Sequence, residues 1–156
     1  MRPEILFPLY APVKTLKGVG PRVAPLLEKL AGPIVRDVLF LAPHSVVRRR
    51  PATVASAVEG EVQTFQVEID EHQKPRGPQQ PWKLRAFDGT GFLTLVFFGG
   101  FGGSVAEKNP VGAKRLVSGK VERFGAELQM PHPDYIVAPE RAAEIPELEA
   151  VYPATA

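Results

Sequence analysis

Residues 82–98 read Trp82-Lys83-Leu84-Arg85-Ala86-Phe87, then Asp88-Gly89-Thr90-Gly91, then Phe92-Leu93-Thr94-Leu95-Val96-Phe97-Phe98. The first part alternates: Trp82, Leu84 and Ala86 fall on one side of a strand, Lys83, Arg85 and Phe87 on the other. Asp88-Gly89-Thr90-Gly91 is a tight-turn signal, because glycine supplies the positive φ that hairpins require. The third part is a second strand. If Leu93, Leu95 and Phe97 face a core, then Phe92, Thr94, Val96 and Phe98 belong to the opposite set, and Phe98 leaves the strand pointing outward.

Working outward, Val62, Phe65, Val67 and Ile69 predict a long preceding strand, with the last three on one face. A Pro-, Gly- and Gln-rich loop from His72 to Pro81 joins it to the quoted stretch. After Phe98 the run Gly99-Gly100-Phe101-Gly102-Gly103 leads into a short helical or irregular connection up to Gly112. Arg115–Arg123 and Glu127–Val137 predict a final hairpin turning near Gly125. Five strands with one long connection between the third and fourth predict a five-stranded OB-fold barrel over residues 51–138.

The flanks read differently. In residues 1–50, Val23, Leu26, Leu27 and Leu30 recur at the spacing of one helix face, entered at Gly20-Pro21, with Pro25 awkward inside the first turns. Gly32-Pro33 separates this helix from a second one carrying Ile34, Val35, Val38, Leu39 and Leu41, stopped by Pro43. The chain is thus mainly β with a small α-helical N-terminal unit. Residues 139–156, acidic and punctuated by proline, read as a linker.

At 156 residues, 44% hydrophobic and 23% charged, the composition is that of a globular chain. There is no cysteine, which excludes disulfides and thiolate zinc sites. The apolar run Ile5–Leu9 is too short for a signal peptide or a membrane span, so a soluble, cytoplasmic protein is expected. The net charge is only +2, but residues 1–55 carry nine Lys/Arg against three Asp/Glu, while 139–156 carry one against four. That asymmetry suits either a polyanionic partner or an ordinary solvated surface.

Catalysis finds no motif. His44, His72 and His132 lack metal-ligand spacing, and no phosphate-binding loop of the Gly-x-x-x-x-Gly-Lys-Ser/Thr type occurs, so no enzyme activity and no cofactor are expected of this chain. Gly18-Val19-Gly20 before Pro21 is either a helix-hairpin-helix turn, whose backbone meets a DNA phosphate, or a helix entry that binds nothing. Either Phe98 and Phe101, the latter among four glycines that cannot bury it locally, form a base-stacking pair, or Phe98 closes the barrel end. Lys83 and Arg85 share a face and either hold phosphates or are solvated.

Several ordered stretches resemble the N-terminal region of the RecG family. They are Leu16-Lys17-Gly18-Val19-Gly20-Pro21, Asp37–Pro43, Asp88-Gly89-Thr90-Gly91-Phe92-Leu93 with Phe97-Phe98, Ser118-Gly119-Lys120-Val121, Gln129-Met130 with His132-Pro133-Asp134-Tyr135, and Val151-Tyr152-Pro153. The resemblance implies an OB-fold wedge, over residues 51–138, that grips the branch point of a replication fork or Holliday junction and separates strands. Phe98 matches the first of the family's stacking aromatics; Phe101 approximates the second. Arg49 matches a family arginine, although Val46 and Val47 depart from the residues around it. Arg49, Lys120, Lys83, Arg85 and the backbone at Gly18 and Gly20 are the phosphate candidates. By the same resemblance, helicase motor domains using ATP and Mg2+ would follow the 139–156 linker. The full-length protein would be an ATP-dependent DNA helicase of DNA repair, recombination and replication restart, in a bacterial cytoplasm and associated with the nucleoid. The alternative is a protein-interaction OB fold that takes the acidic tail of a single-stranded-DNA-binding protein.

Overall fold

The computed structural model describes residues 3–153. In chain order its helices and strands are α1 (Ala24–Leu30), α2 (Val35–Leu39), β1 (Ser45–Arg48), β2 (Arg50–Pro51), β3 (Val62–Gln73), β4 (Trp82–Phe87), β5 (Phe92–Phe97), α3 (Gly102–Lys108), β6 (Lys114–Lys120), β7 (Glu122–Phe124), β8 (Glu127–Pro131), β9 (Tyr135–Val137) and β10 (Leu148–Val151). Two compact units result: the chain up to Val47 together with the residues from Glu149 on, and residues 48–148.

In the larger unit, β3, β4 and β5 form an antiparallel meander in which Leu84 pairs with Leu95 and Ala86 with Leu93. Alternation sends Phe65, Val67, Ile69, Leu84, Ala86, Leu93, Leu95 and Phe97 into one core, where Val117, Val121 and Met130 join them. Fully burying a side chain of this kind contributes roughly 1.5–3 kcal/mol. The β6 strand lies antiparallel to β3, β8 runs parallel to β5, and β7 pairs with β8. Only Val121 separates β6 from β7, so residues 114–124 border β3 with their first half and β8 with their second. The path of strands returns on itself, with α3 in the long connection after β5. This is the OB fold expected from the sequence.

The five expected strands are more broken than the periodicity suggests, and the sheet has eight strand segments. Val121 interrupts the fourth. The fifth ends at Pro131 because His132 takes a left-handed φ of 43° and Pro133 has no amide to continue a ladder. The two-residue β2 adds a parallel edge beside Gln63 and Thr64 of β3.

The turn at residues 88–91 is tied down by one side chain. Asp88 Oδ1 accepts from the Thr90 hydroxyl at 2.7 Å, the Thr90 amide at 2.8 Å and the Gly91 amide at 3.1 Å. Its Oδ2 accepts the Val54 amide at 2.7 Å. Partial burial works against the charge, but these hydrogen bonds outweigh it and hold the Asp88 carboxyl below the usual carboxylate range.

The smaller unit centres on buried Val13 and Ala24. Its first helix begins at Ala24, not at Pro21, because Pro25 has no amide and fits only within a first turn. The expected stripe is correspondingly incomplete: Val23 and Leu26 are about half exposed. The stretch expected as a linker is structured. Residues 139–144 form a 3-10 turn, and β10 pairs with β1 in a two-stranded sheet. Among the described residues, no helix is long and apolar enough to cross a membrane.

Candidate nucleic-acid interface

The end of β5 changes from core to surface within one residue. Phe97 is 6% exposed, Phe98 52% and Phe101 76%. Phe101 stands at the entry to α3, next to Gly102.

His132 holds this end in place. Its backbone amide donates to the Val96 carbonyl at 2.8 Å, and the Phe98 amide donates to its Nε2 at 3.3 Å. The imidazole also lies 5.7 Å from the Phe98 ring, tilted by 36°, and meets Phe97 edge-on at 6.2 Å. The reach of His132 to Phe98 was not foreseen from the sequence, where this residue was weighed as a metal ligand and counted in a RecG-like stretch.

Trp82 is the second such residue. It pairs with Phe97 across the strands, and a Cβ on Gly102 would run into its ring. Glycine at 102 is therefore required for close approach of α3 to the indole, and this contact seats the loop that carries Phe101. The only sequence signal was a glycine run near a lone tryptophan.

The predicted cations fare unequally. Lys83 and Arg85 do share the outer face of β4, but carboxylates engage both. Lys83 pairs with Glu127 at 3.5 Å. Arg85 pairs with Asp70 at 2.5 Å and Glu71 at 3.3 Å, with its guanidinium 5.0 Å from the Phe92 ring. The Thr94 hydroxyl, and after it Gln129 and Lys83, hold the Glu127 carboxyl below its usual range despite partial burial. Lys120 is exposed at the end of β6.

Arg49 requires a correction. Its side chain is 4% exposed and turned inward, onto Asp134 at 2.8 Å, Ser118 at 3.3 Å and the Tyr135 ring at 4.8 Å. A guanidinium enclosed in this way is a structural ion pair, not a surface for phosphate. It also contributes to a groove of about 530 Å³ whose apolar lining includes Pro51, Leu116, Ile145 and Pro146.

In the smaller unit, Gly18 has a φ of +89°, which explains glycine there, while Gly20 has no such need. The free amides expected at a helix start on Pro21 are not offered in that form: the Val23 and Ala24 amides both donate to the Gly20 carbonyl. This geometry is that of a helix-entry turn.

No protein-family model matches the chain. The ATP-dependent DNA helicase RecG of Acidithiobacillus ferridurans is 27% identical over 143 residues, covering 91% of this chain and 20% of that protein. The solved structure of RecG bound to a three-way DNA junction matches with a TM-score of 0.77 and 21% identity, over 94% of this chain and 20% of that one. The chain resembles RecG over nearly its whole length. It spans one fifth of the RecG proteins it matches. The second OB-fold domain of replication protein A from Methanococcus maripaludis, at a TM-score of 0.40 and 18% identity over 58% of this chain and 95% of that one, is too distant to add to the argument.

Several of the RecG-like stretches supply internal contacts of the larger unit. Asp88 ties the 88–91 turn, His132 holds Phe98, and Asp134 with Tyr135 encloses Arg49.

Proposed function

We propose that this chain recognises branched DNA as the wedge segment of a RecG-like helicase, with Phe98 and Phe101 stacking against bases at the branch point. The observation that carries the reading is the pair of exposed rings at the end of β5, one of them anchored by His132, in a chain that resembles RecG. Flat apolar rings held at a strand end suit base stacking, because every base offers a π-face, and a fixed ring loses little entropy on contact.

In this reading the motor lies in the remainder of a longer polypeptide, as does the site for ATP and Mg2+. Pulling the arms of a fork or Holliday junction past the aromatic edge separates the strands, in replication restart, recombination and repair. The groove beside Arg49 suits an acidic protein tail poorly, because Asp134 already engages its arginine and Glu147 lies on its lining.

The test is fluorescence anisotropy of the chain with a fork, a four-way junction and a linear duplex of equal length, across a salt series. Branched substrates should bind more tightly, and binding should weaken with salt. Equal affinity for linear and branched DNA at every salt concentration would overturn the reading.

A further inference from the structure

We infer that Lys74, on the loop between β3 and β4, is the phosphate contact that serves the Phe98–Phe101 edge; this rests on the proposed stacking role of that edge. Three observations lead to it.

The first is position. The Lys74 ammonium lies 6.0 Å from the centroid of the Trp82 ring. Trp82 is in register with Phe97, the residue before Phe98, and Gly102, the residue after Phe101, packs against its indole. One ring therefore touches the supports of both aromatics and carries the cation.

The second is availability. Among the described residues Lys74 forms no ion pair, in contrast to Lys83 and Arg85, which face Glu127, Asp70 and Glu71. A phosphate reaching Lys83 or Arg85 must displace a carboxylate. A phosphate reaching Lys74 displaces only its contact with the half-buried Trp82 ring, which leaves a lysine free to swing as a point charge on its flexible stem.

The third is the sign of the loop. Residues 73–81 contain Lys74 and Arg76 and no acidic residue. The loop is nevertheless ordered: the Arg76 amide donates to Gln80 Oε1 at 3.0 Å, and the Gln80 amide donates to the Gly77 carbonyl at 3.0 Å. A positive, structured loop beside an aromatic edge combines the two elements that single-stranded nucleic acid requires, a backbone contact and a stacking platform.

The experiment measures binding of the whole chain to a fork over a salt series, for Lys74→Gln, Lys83→Gln and Phe98→Ala. Each phosphate contact contributes about 0.7–0.9 to the slope of log affinity against log salt. Lys74→Gln should make the slope shallower by about that amount, while Lys83→Gln should leave it unchanged. If Phe98→Ala weakens fork binding but Lys74→Gln leaves the slope intact, the phosphate assignment is overturned and the stacking reading stands. If neither Phe98→Ala nor Lys74→Gln has an effect, both are overturned.

Discussion

The Phe98 amide donates a hydrogen bond to Nε2 of His132 at 3.3 Å, joining the exposed end of β5 to the residue that terminates β8. His132 also bonds the Val96 carbonyl, so one residue clamps positions 96 and 98 from the same side. An aromatic ring at a strand end is useful for stacking only if its backbone does not wander, and this pair of bonds restrains it.

Replacing His132 with glycine separates the imidazole's role from that of the backbone, since glycine adopts the left-handed φ at this site without strain. A hydrogen bond of this kind contributes about 0.5–1.5 kcal/mol, so His132→Gly should weaken fork binding roughly 2- to 10-fold. Linear duplex binding should not change. Unaltered fork affinity would mean that Phe98 needs no such support.

Asp88 carries a stability prediction with a pH sign. Its folded-state carboxyl is held below the usual range, so its contribution is present at neutral pH and is lost as pH falls through and below that range. Asp88→Ala should cost about 1–3 kcal/mol in urea unfolding at neutral pH, with the deficit shrinking under acid conditions. A deficit that grows as pH falls would contradict this.

Arg49 should prove structural. Asp134→Ala leaves a buried guanidinium short of a counter-charge and should destabilise the chain by about 1–3 kcal/mol, or several degrees in melting temperature. The salt slope of DNA binding should stay at the parent value in Arg49→Gln. A shallower slope with an unchanged melting temperature would return Arg49 to the DNA surface.

The sequence was informative wherever a local period controls the outcome. Alternation placed Leu93, Leu95 and Phe97 on the core face and Phe98 at the exposed strand end, although Thr94 and Val96 of the opposite set are buried as well. The glycine run after Phe98 marked the connection that became α3. Long-range pairing was not legible. Arg49 sits in a run of three arginines that reads as a basic patch, and its partner Asp134 arrives from 85 residues away. Lys83 and Arg85 likewise read as free cations because Glu127, Asp70 and Glu71 come from other strands. The end of β8 had a partial signal in His132-Pro133, but nothing local announces that the imidazole reaches Phe98. The start of α1 was misplaced because Gly20-Pro21 outweighed Pro25, which in fact marks the first turn.

The most direct test of branched-DNA recognition compares the parent chain with Phe98→Ala on a fork and on a linear duplex, beside Phe97→Ala as a core control. A base stacked on a ring contributes about 1–3 kcal/mol, so Phe98→Ala should lose roughly tenfold or more in fork affinity while duplex binding and melting temperature hold. Phe97→Ala should instead destabilise the fold by about 3–5 kcal/mol. If Phe98→Ala binds the fork as tightly as the parent chain, or loses fork and duplex affinity equally, the end of β5 is not the stacking edge.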